Sequence, residues 1–89
     1  MNKAKREDIK RSIAILQEIS EHAEKMLAII RFLHADEQTK LENIPENLEG
    51  SEKFDAMEDS VYTLESAGDN MDEVVTYLHA AIKDLEDVL

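Results

Sequence analysis

Apolar residues recur at alternating spacings of three and four along the second half of the chain, from Phe54 to Leu89. A stripe that stays in phase over about five heptads is typical of a helix that packs lengthwise on another helix. Gly68 is the only weak position in this stripe. We therefore predict that the packing seam of the second helix consists of Phe54, Met57, Val61, Leu64, Met71, Val75, Leu78, Ile82 and Leu85.

The first half of the chain also has a helical pattern, which begins near Ala4, but its apolar face is broader. A broad apolar face favours more than one neighbouring helix. Phe32 points away from that face, and it is either a single apolar residue on the surface or part of a contact site. The predicted core and interface positions in this half are Ile9, Leu16, Ile19, Met26, Ile30 and Leu33.

The segment between the two patterns is the one clear break, and it contains Pro45 and Gly50. Proline disfavours helical geometry at the residue before it, glycine can end a turn at positive φ, and Ser51 is a good N-cap. We predict a single domain with a helix over about residues 4–42, a loop over about 43–50 and a helix over about 51–88. Two helices joined by a short loop are antiparallel neighbours, so the predicted fold is an all-α helical hairpin.

Gly68 leaves a second topology open. A helix could end there, because Asn70 and Glu73 have the spacing of a capping box, and the result would be a three-helix bundle. The apolar stripe nevertheless stays in phase across this point, and a glycine inside a helix costs only about 1 kcal/mol relative to alanine. We favour a continuous or bent second helix, in which Gly68 would also permit the close approach of another backbone.

The net charge of -11 lies entirely after Pro45, where thirteen acidic residues stand against Lys53 and Lys83. Such a field repels nucleic-acid phosphates and anionic membranes, so we expect neither as a direct partner. The first helix begins with basic residues in the segment 3–11, and the second ends with acidic residues in the segment 84–87. In an antiparallel pair these ends lie side by side, and their opposite charges should favour pairing.

No residue pattern points to an enzyme. The chain has no phosphate-binding glycine loop and no His-Glu-x-x-His motif, and we expect no cofactor, no metal and no catalytic residue. His22 and His34 have acidic neighbours at helical spacing, but each stands alone. His79 is either a solvated residue on the helix flank or a pH-sensitive contact at an interface.

Cysteine is absent, which excludes a disulfide framework and fits a cytoplasmic location. The basic start of the chain lacks the uninterrupted apolar region and the cleavage site of a signal peptide. No apolar run approaches the roughly 18 residues that a membrane span requires, so we expect no membrane association.

A resemblance is carried by the segment Asp36-Glu-Gln38 and the loop Asn43-Ile-Pro-Glu-Asn-Leu-Glu-Gly-Ser-Glu52, followed by an acidic heptad helix. This region, roughly residues 36–89, resembles a group of small uncharacterised acidic helical proteins encoded by phages, prophages and mobile elements of Gram-positive bacteria. In that group a Pro-Glu-Asn-Leu type loop precedes a helix rich in Glu-Glu-Ala repeats. The chain departs from that pattern at Tyr62, Gly68, Tyr77 and His79. The resemblance implies a helical hairpin and a mobile-element setting, and it implies no activity.

Two functions remain. The first is a protein–protein interaction module, in which the surplus apolar surface of two hairpins pairs into a homodimeric four-helix bundle. The second is an acidic mimic of nucleic acid that inhibits a host DNA- or RNA-binding defence protein. The mimic would present Asp55, Glu58, Asp59, Glu65, Asp69, Asp72 and Glu73. The stretch 74–82 holds no acid, which weakens the second interpretation, and acids also serve simply to keep a helical protein soluble.

Overall fold

The computed structural model describes residues 1–89 and consists of two long helices, α1 (Lys3–Glu42) and α2 (Glu52–Val88). A loop with one 3₁₀ turn at Glu46–Leu48 joins them. The helices run antiparallel, since Glu24 contacts His79 while Arg31 contacts Asp69. The result is a rod with extents of 70 × 15 × 14 Å and no strand, which confirms the predicted all-α hairpin.

Local sequence explains where each helix begins and ends. The side chain of Asn2 accepts a hydrogen bond from the Lys5 backbone N–H at 2.8 Å, and Ser51 accepts one from Phe54 N–H at 3.2 Å. Both contacts satisfy backbone donors that have no partner within the helix. Gly50, at φ 82°, supplies the left-handed conformation that turns the loop into α2.

In the last turn of α1, the side-chain hydrogen bond from Lys40 to Asp36 raises the pKa of the lysine. The charges of Asp36 and Glu37 act in the same direction. A cation at this end also interacts favourably with the helix dipole.

Helix α2 continues without a break through Gly68, so the three-helix alternative is wrong. Its seam follows the heptad stripe. Val61, Gly68, Val75 and Ile82 are buried against α1. The other seam positions are half-buried: Phe54, Met57, Leu64, Met71, Leu78 and Leu85.

The seam of α1 differs from the predicted one. Ile9, Leu16, Ala23 and Ile30 do face α2, but the second column runs through Ile13, Ser20, Leu27 and His34. Three of the predicted core and interface positions, Ile19, Met26 and Leu33, form a neighbouring column instead and stay 46, 46 and 44% exposed. Polar residues at Ser20 and His34 interrupt the true column, whereas the neighbouring column is apolar at these three positions and therefore looks like the better seam.

The predicted pairing of opposite charges between the helix ends is not seen as ion pairs. Lys10 pairs with Glu7, Arg11 with Asp8 and Lys83 with Asp87, so each pair lies within one helix. Such pairs at a spacing of three or four residues are close neighbours on a helix surface. The ion pairs that connect the helices lie nearer the middle of the rod.

Candidate functional site

Charged side chains bridge the two helices along one long side of the hairpin, which we call the closed face. The Arg31 guanidinium reaches Asp69 Oδ1 at 3.0 Å and Asp72 Oδ2 at 3.7 Å. His79 Nε2 lies 2.9 Å from Glu24 Oε1. These contacts cover the seam on this side with polar groups.

Gly68 makes room for the arginine on the closed face. A Cβ at this position would lie 2.7 Å from Arg31 Nη1 and 3.1 Å from Arg31 Cζ. The glycine therefore permits the close approach of a side chain, rather than of the backbone that we expected. The guanidinium passes over the buried glycine before it reaches Asp69.

The other long side of the hairpin, which we call the open face, is apolar. On α1 it begins at Ile15 and ends at Leu33, with side chains at alternating spacings of four and three residues. This spacing places them in a single row, turned roughly 100° from the seam. The row consists of Ile15, Ile19, His22, Met26, Ile29 and Leu33, and its apolar members are 44–58% exposed.

Helix α2 contributes smaller, uncharged side chains to the open face. In the column next to the seam these are Ser60, Ala67, Val74, Ala81 and Val88. The next column out holds Thr63, Asn70 and the larger Tyr77. Val74, Tyr77 and Val88 are 45, 72 and 50% exposed. Leu33 lines a shallow groove together with Ser60, Thr63 and Leu64, which places the rows of both helices on the same side of the hairpin. Glu37 and Asp59 mark the edge of that groove.

The open face is therefore a long apolar surface in a strongly acidic molecule. The rows themselves hold no charged residue from Ile15 to Leu33 on α1 and from Ser60 to Ala81 on α2. The sequence contains a signal for the α1 row of the open face. Ile15, His22 and Ile29 form a second heptad-like stripe together with Ile19, Met26 and Leu33, three of the predicted core and interface positions.

The acidic residues of the mimic hypothesis are all exposed on α2: Asp55, Glu58, Asp59, Glu65, Asp69, Asp72 and Glu73. Two of them, Asp69 and Asp72, are paired with Arg31 on the closed face. The other five make no ion pair, so most of this charge faces solvent.

The side chains that could bind a metal ion are scattered along the rod. No group of three or more His, Asp or Glu side chains is arranged to hold a metal ion. The three histidines are separate, because His79 lies beside Glu24, His22 lies within the open face, and His34 is half-buried in the seam. Neither helix is long and apolar enough to cross a membrane.

Comparison of the chain with protein-family models, with curated proteins and with solved structures finds no match.

Proposed function

We propose that this protein is a non-enzymatic interaction module that works as a homodimer, in which two hairpins pair through their open faces into a four-helix bundle. One observation carries the proposal: five large apolar side chains stand exposed in a single row without an intervening charge. Soluble monomers rarely expose a contiguous apolar surface of this kind.

The size of the open face fits a dimer of moderate affinity. At about 1.5 Å per residue, the row from Ile15 to Leu33 is roughly 27 Å long. Two adjacent helices, each about 10 Å across, make it about 20 Å wide. Each copy would then bury roughly 540 Å², or about 1,100 Å² for the pair, at the lower end for a specific interface. We expect a dissociation constant of the dimer in the micromolar range.

The charge distribution favours a second copy of the same chain as the partner that covers the open face. Two molecules that each carry a net charge of -11 repel one another over most of their surfaces. The open face is the surface on which they can meet without bringing acids together. Once paired, the acids of both copies point outward, and their repulsion limits further assembly.

A phage or mobile-element setting in the bacterial cytoplasm is part of the proposal. It is supported by the loop of residues 43–52 and the acidic helix that follows it, which resemble the group of proteins described above. In that setting the dimer would present its outer surfaces to a host or phage protein.

The alternative is an acidic mimic that inhibits a host protein which binds DNA or RNA. The observation that favours it is the exposure of Asp55, Glu58, Asp59, Glu65 and Glu73 without ion-pair partners. A competition assay distinguishes the two, because only the mimic would displace nucleic acid from a captured host protein and lose that ability in Glu58→Gln/Glu65→Gln.

Sedimentation equilibrium at micromolar concentration tests the dimer. We expect a dimer mass for the natural sequence and a monomer mass for Met26→Asp, because the substitution places a charge in the middle of the open face. Phe32→Asp is the matched control, since Phe32 is 70% exposed on α1 but lies outside the row. Circular dichroism checks that each variant stays helical.

Two results would overturn the dimer. One is a monomer mass for the folded natural sequence across the whole concentration range. The other is equal dissociation by Met26→Asp and Phe32→Asp, which would show that the open face has no special role.

A further inference from the structure

We infer that, in the proposed dimer, α1 of each copy lies on α2 of the other, with the two-fold axis parallel to the helices. The inference rests on the proposed pairing of open faces and specifies its arrangement. Stacking two hairpins face to face allows two symmetric solutions. An axis parallel to the helices places α1 on the partner's α2. An axis perpendicular to them places α1 on the partner's α1 and α2 on the partner's α2.

Side-chain size favours the parallel axis. The row on α1 is built from large residues such as Ile19, Met26 and Ile29. The α2 column next to the seam is small, with Ser60, Ala67, Val74 and Ala81, and the one large residue on this side of α2, Tyr77, lies in the outer column. Protein interiors pack at high density, which is easiest when large side chains face small ones. With the perpendicular axis, large residues would meet large ones across one helix pair, and small residues would leave gaps across the other.

Charge favours the same arrangement. Helix α1 carries eight basic and eight acidic residues, whereas α2 carries eleven acidic and two basic residues, a net charge of -9. Helices in contact lie about 8–10 Å apart, which is close to the screening length of about 8 Å in physiological salt, so their charges are only partly screened from one another. The perpendicular axis would hold two α2 helices at that distance, whereas the parallel axis separates them diagonally, each beside two neutral helices.

The charges at the helix ends also favour the axis parallel to the helices. The parallel axis keeps the start of α1 at the same end of the bundle as the last turn of the partner's α2. The basic segment 3–11 then lies beside acidic segments 84–87 from both copies. Opposite charges at this separation attract one another without direct ion pairs.

The register of the hairpin specifies which residues meet. Contacts of Glu24 with His79 and of Arg31 with Asp69 show which levels of α1 and α2 coincide. An axis parallel to the helices preserves these levels in the partner. Met26 of one copy is therefore expected beside Val74 of the other, and Ile19 beside Ala81.

The absence of cysteine allows a cross-linking test with single-cysteine variants. Met26→Cys and Val74→Cys are purified separately, mixed with a mass tag on one of them, and oxidised. We expect the mixed disulfide to exceed either self-linked product severalfold. Ile19→Cys with Ala81→Cys forms an independent second pair with the same expected result.

Failure of the arrangement and failure of the dimer give different results. Predominant self-linking of Met26→Cys, or no excess of the mixed product, in a sample that sediments as a dimer before oxidation overturns the arrangement alone. A monomer mass for the reduced, folded mixture overturns the proposed dimer together with it.

Discussion

At the scale of single residues, Gly68 lowers the helix propensity of α2 but makes room for a contact between the two helices. Glycine in a helix interior is about 1 kcal/mol less favourable than alanine. Here it leaves room for the Arg31 side chain, which crosses over it to Asp69 and Asp72. The arginine side chain is 40% exposed, and exposed ion pairs contribute only about 0.2–1 kcal/mol. The two effects are therefore of similar size.

This balance gives a prediction for Gly68→Ala. In an Arg31→Ala background the substitution should stabilise the fold by about 1 kcal/mol, because the side chain nearest to the new Cβ is then removed and the gain in helix propensity remains. With Arg31 present the gain should be smaller, since the guanidinium must move and its contacts with the two aspartates weaken. Urea unfolding of the four proteins at one concentration measures this coupling. An equal effect in both backgrounds would contradict the proposed contact.

Ser20 shows most clearly why the seam of α1 is not predicted from hydrophobicity alone. It is only 4% exposed and lies at a seam position of α1, opposite the region of Ile82. A small side chain there allows the helices to approach closely, but its polarity makes the column look like a surface column. Burial at this position follows from the packing of the helices and not from the hydrophobicity of the residue.

At the scale of the element, α2 separates an apolar seam from an acidic outer surface. Leu64 and Leu78 lie half-buried on the seam, while Glu65 is exposed and unpaired. By sequence alone Asp72 looks equivalent to Glu65, yet its carboxylate lies 3.7 Å from Arg31. Glu65 is therefore the matched control for a test of the two sides of α2.

Leu64→Ala and Leu78→Ala should each cost about 2 kcal/mol, at the lower end for leucine because neither side chain is fully buried. Glu65→Ala should change stability by no more than about 0.5 kcal/mol, as expected of a surface substitution. Chemical denaturation followed by circular dichroism measures all three. If Glu65→Ala were as damaging as the leucine substitutions, the assignment of the two sides of α2 would be wrong.

At the scale of the whole molecule, the hairpin has a thin core. Only seven of its 89 residues are buried, and all of them lie on the seam between the helices. A rod about 15 Å thick has no room for a second layer of side chains, so the second apolar stripe of α1 remains exposed. The proposed dimer supplies that layer.

The charge of the whole molecule predicts how the dimer responds to salt. Each copy carries a net charge of -11, so dimerisation brings like charges together. Raising ionic strength from about 0.05 to 0.5 M shortens the screening length severalfold and should tighten the dimer. Sedimentation equilibrium across this range measures the dissociation constant, and Glu58→Gln/Glu65→Gln should show a smaller salt effect. A dimer that weakens with salt would indicate that attractive charge pairs hold it together.

Much of the architecture was determined by the sequence alone. The two helices, the break around Pro45 and the seam of α2 follow from the period of apolar residues and from local backbone preferences. The N-cap at Ser51 and the positive φ of Gly50 likewise follow from local backbone preferences. Each of these depends on residues close together in the chain, so no knowledge of the partner helix is needed.

Tertiary structure decided which stripe of α1 faces α2 and which remains open. Helix α1 has two stripes about 100° apart, and the sequence does not tell which of them a single partner will cover. Close approach of the helices selects the stripe with the smaller residues Ser20 and Ala23, and the larger Ile19 and Met26 are left outside. The contact of Arg31 with Gly68 likewise depends on the register between the helices, a property of the pair that neither helix has alone.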